Sequence, residues 1–192
     1  MAGALDRVKV LDLTTIYSGP ICTTILGDQG ADIIKIESPE GDFMRQALDV
    51  ERNGVSGMFS MLNRNKRSIV IDLSKEEGKS LLKDMFYSAD VIVENLRPGV
   101  MDRLGLDYET LKTINPGIIY CSITGFGQTG PYSHRSGYDF LIQGMGGLMS
   151  ITGQPDGSPG SAPMKVGVAV CDLFTGMFAA CLLYTSPSPR DS

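Results

Sequence analysis

Short runs rich in Val, Ile, Leu and Thr recur along the first part of the chain: VKVLDLT (8–14), ADIIKIES (31–38), SIVIDLS (68–74), DVIVENL (90–96) and GIIYCSITG (117–125). They are near-continuous apolar runs rather than strict alternations, the pattern of strands covered on both faces of a sheet. Between them GPICTTILGDQG (19–30), MFSMLNRN (58–65) and KEEGKSLLKDMFYSA (75–89) carry helical patterns. Strands alternating with helices predict an α/β fold, an open, mostly parallel, Rossmann-like sheet with helices on both faces.

Ligands of such sheets bind beyond the carboxyl ends of the strands. The segments that follow the five runs are TIYSGP (15–20), SPEGD (38–42), SKEEG (74–78), NLRPG (95–99) and GFGQTGP (125–131). Each alone reads as a turn; five on one edge of a sheet outline a ligand crevice. No GxGxxG follows the first strand and no GxxxxGK[ST] occurs anywhere. The match at Gly125, Gly127 and Gly130 comes late, ends on Pro131, and is weak. SGP (18–20) predicts a helix start with Ser18 as cap and Pro20 in the first turn, whose free amides suit an anionic group.

The 192 residues suffice for one domain with a sizeable core, and 42% hydrophobic against 20% charged residues indicates a globular chain. Seventeen basic and twenty-two acidic side chains leave a net charge of −5, which argues against a nucleic-acid partner. Cys22, Cys121, Cys171 and Cys181 show no CxxC spacing and a single histidine accompanies them, so neither a metal site nor a disulfide framework is expected, and the cytoplasm is the expected compartment. The start, MAGALDRVKVLDLT, does not read as a secretory signal. VGVAVCDLFTGMFAACLLY (166–184) is apolar enough to suggest a membrane span, but Asp172 lies near its centre and no aromatic or basic belt brackets it. A buried helix of a larger soluble protein is the expectation, and no membrane partner.

GQPDGSPGSAP (153–163) is a Gly/Pro/Ser loop. At the other side of the apolar segment, CLLYTSPSPRDS passes from a helical run straight into Pro and Ser without a cap. This stretch resembles a translated transposon adaptor, so residues 181–192 are expected to be a non-native tail on a domain spanning 1–180, the alternative being a natural terminus.

His134, in PYSHRSG, reads as a surface residue in a turn, which leaves catalytic triads without support. Acid–base chemistry would fall to Asp, Glu, Lys or Tyr. Asp172 is the conspicuous group, because an ionised carboxylate in an apolar run is costly unless it is paired, hydrogen-bonded or neutralised. A helix N-cap, a partner for a buried Arg, and a nucleophile that attacks an activated acyl group all fit the residues alone.

Ordered segments carry a family resemblance. VLDLTTIYSGP, GADIIKIESPEGD, NRNKRSIVIDL, ADVIVENLRPGVMDRLGL, NPGIIYCSITGFGQTGP, GYDFLIQGMGGLMSITG and VGVAVCDLFTGMFAA together resemble the class III acyl-CoA transferases, of the formyl-CoA transferase and carnitine CoA-transferase type. The resemblance covers residues 7 to 180. It implies that Asp172 is the catalytic aspartate, which attacks an acyl-CoA thioester to give a mixed anhydride and then an aspartyl-CoA thioester. It also implies that Tyr138 and Asp139 line the active site. Tyr17 and Ser18 would meet the pantetheine or thioester region, Ile71 and Leu73 the adenine, and Asn95, Leu96 and Arg97 the nucleotide; Arg103 would hold a CoA phosphate, suiting a guanidinium's fork of donors. Some members carry a basic residue where this chain has Ser38, and Lys66 and Arg67 are either substitutes for it or a solvated basic turn.

The implied substrates are an acyl-CoA and a carboxylic acid, with no prosthetic group and no metal; the resemblance leans towards dicarboxylic acids such as succinate or glutarate. α-Methylacyl-CoA racemases of the same superfamily use a histidine in a GHD segment. Here the segment reads GYD (137–139), and a phenol, ordinarily titrating near ~10, is a poor proton shuttle at neutrality. The transferase reading is therefore preferred over a racemase or epimerase. Family members are about twice as long and form interlocked homodimers, so a third reading is a non-catalytic, incompletely folded fragment. For the same reason residues 1–180 are expected to leave an apolar face uncovered, and this length of chain to turn over little substrate.

Overall fold

The structure, a computed structural model, describes residues 3–47, 51–52 and 55–186. In chain order the elements are β1 (Lys9–Leu13), α1 (Ser18–Asp28), β2 (Asp32–Glu37), the two-residue strands β3 (Glu51–Arg52) and β4 (Val55–Ser56), α2 (Gly57–Leu62) and β5 (Lys66–Val70). Then come α3 (Glu76–Phe86), β6 (Val91–Glu94), α4 (Val100–Leu104), α5 (Tyr108–Ile114), β7 (Ile119–Ser122), α6 (Asp139–Met145) and α7 (Val170–Thr185), with single 3₁₀ turns at Phe43–Arg45 and Leu148–Ile151.

Five strands form one all-parallel sheet in the order β5-β2-β1-β6-β7, and β3 and β4 pair as a separate antiparallel ribbon. The expected open α/β sheet is thus present, its central strand β1 bracketed by β2 in the register Val10↔Ile33 and by β6 in the register Val10↔Val91. The chain winds from β1 outward through β2 to β5, then returns to the other side for β6 and β7. The direction therefore reverses between β1 and β6, the place where open α/β sheets accept ligands.

Alternate residues of the central strands feed two cores. Leu11, Ile36 and Ile92 face Leu82 and Phe86 of α3, Met101 of α4 and Leu111 of α5. Val10, Ile33, Val91 and Val93 face Cys22 and Leu26 of α1 and Ala179, Ala180 and Leu183 of α7. Local signals agree with this packing. Asp107 accepts from the Thr110 amide (3.0 Å) to start α5, Ser56 from the Phe59 amide (3.2 Å) to start α2, and α3 carries Glu76 and Glu77 in its first turn and Lys83 in its last.

Three expectations need correction. The third strand is Lys66–Val70 rather than 68–74, because the Asp72 carboxylate accepts from the Ser74 amide (3.0 Å) and turns the chain away after Ile71. As the sheet edge this strand is also not covered on both faces, and Val70 is 60% exposed. Ser18 does not cap α1: the cap position is Tyr17, which makes no side-chain cap bond, and Ser18 is already helical.

The apolar run at 166–184 becomes helical only from Val170, and among the described residues no helix is long and apolar enough to cross a membrane. Gly176, Ala179, Ala180 and Leu183 form its buried stripe at helical spacing. Gly176 is required there: a Cβ would lie 2.6 Å from the Ser18 carbonyl oxygen and 2.9 Å from Ile21 Cγ2, so its absence lets α7 lie directly on α1. Phe174, Met177, Phe178 and Leu182, on the opposite face, are more than half exposed. Of the stretch expected to be a non-native tail, residues 187–192 lie outside the described residues.

Candidate active site

The loop between β1 and α1 is held from three sides. The Asp12 carboxylate, fully buried, accepts from the Thr14 amide (2.9 Å) and hydroxyl, from Thr23 Oγ1 (2.7 Å) and from Lys66 Nζ (2.9 Å). Lys35, equally buried, donates to the Thr14 carbonyl (2.8 Å) and pairs with Asp42 (2.8 Å). Asn95, just past β6, uses both ends of its amide on Thr15: Oδ1 accepts from the Thr15 amide (2.9 Å) and Nδ2 donates to the Thr15 carbonyl (2.8 Å).

These clamps hold Ile16 at φ 70°, a left-handed conformation that a β-branched residue adopts only under constraint. Strain of this kind, about 1–3 kcal/mol, persists where the surroundings over-determine the backbone. Here it turns the chain from β1 into α1 and leaves Tyr17 and Ser18 on the wall of the crevice. On the neighbouring loop, Glu37 is held at about 2: burial works against its charge, but Arg45 (2.6 and 2.7 Å), Ser68 and the Asp42 amide (3.0 Å) outweigh it.

Across the crevice, Asp172 sits in the first turn of α7. No described residue donates a hydrogen bond to its carboxylate. Burial, and secondarily the carboxylate of Asp139, push Asp172 up to about 6. Asp139 opens α6 and accepts from the backbone amides of Cys171 (2.8 Å) and Asp172 (3.3 Å). α7 has no side-chain cap of its own, so a residue of another helix satisfies its first-turn donors. Burial first, then the two carboxylates, raise the Cys171 thiol and disfavour its thiolate.

One cleft of about 340 Å³ at the reversal point collects Tyr17, Ser18, Asn95, Leu96, Arg97, Tyr138, Asp139 and Asp172. Eight of the eleven residues expected to form the site therefore converge. Ile71 and Leu73 line a second cleft, about 510 Å³, at the carboxyl ends of β1, β2 and β5, and Thr15 and Leu96 belong to both clefts. Arg103 lines neither, standing exposed on the last turn of α4. Asn95 lines the wall, but its amide is committed to Thr15, which leaves its aliphatic edge and backbone to face a ligand.

Lys66 and Arg67, the candidates to replace the basic residue that some members carry at Ser38, are each paired with an aspartate. Lys66 is buried against Asp12, the Pro20 carbonyl (3.0 Å) and Asn63 (3.0 Å), and the Arg67 guanidinium grips Asp32 (2.7 and 2.8 Å). The glycines of GFGQTGP answer local backbone demands: a Cβ on Gly125 would lie 2.3 Å from Gly137 Cα, and Gly127 and Gly130 take positive φ. His134 is exposed.

The sequence reading missed Arg135, the second cation on the cleft after Arg97, and Thr175, one turn beyond Asp172. It also missed Gln143, which holds Asp139 in place from behind. Arg135 lies in the same turn as His134 and carries no local motif; its signal is its position just before GYD. A larger cavity of about 750 Å³ lies farther along the edge between Glu94, Tyr108, Tyr120 and His134, and does not include Asp172.

The arrangement places a carboxylate that is partly desolvated, and free of donors among described residues, on a crevice built by a strained loop. Arg97 and Arg135 line the same crevice, the Arg135 guanidinium lying over the Tyr132 ring (5.1 Å). Such a carboxylate suits attack on an activated acyl group.

The family model for CoA-transferase family III matches residues 5–184, and the chain belongs to that family. It is 47% identical over 183 residues to the succinate–glutarate CoA-transferase of Agrobacterium fabrum, an alignment covering 91% of this chain and 44% of that protein. It is also 47% identical over 180 residues to the acetyl-CoA:oxalate CoA-transferase of Acetobacter aceti, covering 93% and 45%. Among solved structures, a CAIB/BAIF family protein from Brucella suis superposes with a TM-score of 0.89 at 48% identity, covering 95% of this chain and 48% of that one. The chain thus spans somewhat under half the length of these relatives.

Proposed function

We propose that this chain is the CoA-binding, nucleophile-bearing part of a CoA-transferase, and that Asp172 carries the reaction. The observation behind the reading is the Asp172 carboxylate, raised to about 6 and facing the crevice where the sheet reverses direction. At neutral pH it is largely ionised yet more basic than an ordinary aspartate, the combination a carboxylate nucleophile needs.

In the proposed sequence, an oxygen of Asp172 attacks the thioester carbonyl of the donor, the C–S bond breaks, and CoA leaves as thiolate. The thiolate then attacks the Asp172 carbonyl of the mixed anhydride, forming an aspartyl-CoA thioester and releasing the donor acid. The acceptor carboxylate attacks that thioester to give a second anhydride and thiolate. Attack of the thiolate on the acceptor acyl carbon yields the new acyl-CoA and regenerates the Asp172 carboxylate. Every step exchanges one acyl leaving group for another, so no oxidant, reductant or metal is required. Exclusion of water protects the anhydrides.

Tyr17, Ser18, Leu96 and Arg97 are proposed to meet the thioester arm, and Ile71 and Leu73 the adenine in the adjoining cleft, with the aliphatic edge of Asn95 beside them. Tyr138 and Arg135 are proposed to meet the acyl group, and a guanidinium there suits the far carboxylate of a dicarboxylic acid. Names of relatives point the same way, towards succinate, glutarate and oxalate. Arg103, exposed at the end of α4, is proposed to reach a CoA phosphate from outside the two clefts.

The natural protein is proposed to be a cytoplasmic homodimer that extends beyond this chain and covers the exposed Phe174, Met177, Phe178 and Leu182, the 192-residue chain by itself being a poor catalyst. The test is to incubate the longest natural chain carrying this sequence with succinyl-CoA and isotopically labelled glutarate. Labelled glutaryl-CoA is the expected product. Deuterium exchange at the α-carbon of a 2-methylacyl-CoA, without CoA transfer, would replace this reading with the racemase.

A further inference from the structure

Gln143 lies on α6 one turn after Asp139, and none of its surface reaches solvent. A wholly buried amide needs all its polar atoms occupied, and Gln143 meets that demand at the entry to α7. Its Nε2 donates to Asp139 Oδ2 (2.6 Å) and to the Val168 carbonyl (3.3 Å), and its Oε1 accepts from the Val166 amide (2.8 Å). The segment that leads into α7 is therefore fastened to α6 by one side chain.

The other oxygen of Asp139 accepts from the Cys171 and Asp172 amides. Both carboxylate oxygens are thus occupied by donors of the protein. Asp139 faces the crevice, but its hydrogen-bonding capacity is directed at α7 and Gln143.

We propose that Gln143 is a positioning residue for Asp172: it orients the Asp139 carboxylate onto the first-turn amides of α7 and thereby fixes both the direction and the electrostatic surroundings of the Asp172 side chain. Asp139 is then also a positioning residue rather than a catalytic one. The consequence for acylation rests on the transferase reading; the geometry does not.

Two effects follow and are separable. A negative group on the N-terminal amides of α7 takes up part of the positive field that this helix end would otherwise lend to Asp172. The same negative charge, close to Asp172, adds to burial in keeping its proton affinity high. The other titratable or charged groups lining the cleft are Tyr17, Arg97, Arg135, Tyr138 and Cys171. Burial and the Asp139 carboxylate are the influences that set the direction of the Asp172 shift.

The test uses the longest natural chain and two variants, read by amide hydrogen exchange and by carbon-13 titration of Asp172, neither of which needs CoA. Gln143→Met keeps the length and removes every hydrogen bond. It is expected to speed exchange at Cys171 and Asp172 about tenfold, the loss of roughly one hydrogen bond, while Ile92 and Val93 of β6 exchange as before. Asp139→Asn keeps an oxygen acceptor for the amides but removes the charge. It is expected to bring the Asp172 titration midpoint below 6; this variant is read by titration alone, because its new Nδ2 faces the Gln143 Nε2 donor and the amides lose their orienting contact as well.

Wild-type exchange at Cys171 and Asp172 in Gln143→Met, or an unmoved Asp172 titration in Asp139→Asn, overturns the proposal. Faster exchange in β6 as well would show that Gln143→Met unfolds the chain globally, and Asp139→Asn then decides alone. If the exchange and titration results hold while no CoA transfer is detected, the transferase reading fails and the positioning role stands. If transfer is seen and the exchange is unchanged, the reverse applies.

Discussion

Replacing Asp12 by Asn tests how the loop before α1 is built. Asp12 and Lys66 are both almost wholly withdrawn from water, and Lys66 Nζ is surrounded by the Asp12 carboxylate, the Pro20 carbonyl and Asn63 Oδ1. Asparagine keeps the size and an oxygen for Thr14, but it removes the charge that compensates Lys66 and turns an amide group towards Lys66 and Thr23. Removing one partner of a buried ion pair costs about 3–5 kcal/mol because the other charge is stranded. Against a total stability of about 5–15 kcal/mol that is a large share.

The pH dependence carries its own sign. Burial raises the pKa of Asp12, but Lys66, Lys35 and the hydroxyls of Thr14 and Thr23 outweigh burial and hold it below 3.8. A depressed acid stabilises the fold above its unfolded pKa and loses that contribution as pH falls through the folded value. The wild type should therefore lose this contribution only under strongly acid conditions, and the Asn variant should lack it at every pH. Urea unfolding followed by circular dichroism at pH 7 is the assay: at a slope of about 2 kcal/mol per molar the midpoint falls by roughly 2 M. The double variant Asp12→Leu/Lys66→Met should cost much less than the two single changes added together, since a buried pair exchanged for apolar groups is often nearly neutral. A midpoint for Asp12→Asn within a few tenths molar of wild type would show that Asp12 does not compensate a buried charge on Lys66.

Further outcomes follow from the same geometry. Asn95→Ala removes two hydrogen bonds from the strained loop, so exchange of the Thr15 amide should accelerate and stability fall by about 1–3 kcal/mol; unchanged exchange would show that Asn95 is not the clamp. Gly176→Val drives a side chain into Ser18 and Ile21, and an overpacking cost of about 1–3 kcal/mol should appear as a lower Tm in calorimetry; an unaltered Tm would contradict the tight α1–α7 contact. Because Asp172 is raised, the folded protein holds its proton better than the unfolded chain between pH 3.8 and about 6, so this group's contribution to stability declines as pH rises through that window. Asp172→Asn removes the decline and should be more stable than wild type at pH 7 but not at pH 4, as denaturant titrations at the two pH values would show.

Much of this organisation is legible in the chain itself. The five strands were readable because each contains an apolar run, and the crevice was readable because turn residues follow every one of them. The edge strand starts two residues and ends four residues earlier than expected because SIVIDLS is equally apolar on both sides of Val70; the Asp72–Ser74 turn that ends it is a matter of two hydrogen bonds. Ser18 resembled a cap, but clamped Thr15 and strained Ile16 set the start of α1 instead.

The candidate site divides in the same way. Asp172 announced itself as a charge in an apolar run. Asn95 was marked through the family resemblance, but not its clamp on Thr15, 80 residues away; Gln143 and Arg135 gave no sign, because they acquire their places from Val166, 23 residues away, and from the crevice itself. A polar residue whose partners are distant in sequence looks like any surface residue until the topology is known. Lys66 illustrates the converse, a basic residue that looks available in the sequence and is taken up by buried Asp12 in the fold, while its neighbour Arg67 stays exposed in a surface pair with Asp32.

In the proposed reaction Asp172 becomes covalently acylated. The most direct measurement is to mix the longest natural chain with succinyl-CoA alone, trap with hydroxylamine or borohydride, and map the modified peptide by mass spectrometry. Modification is expected at Asp172 and should disappear in Asp172→Asn. An unmodified Asp172 in a preparation that nevertheless transfers CoA to an acceptor acid would contradict acylation at that residue.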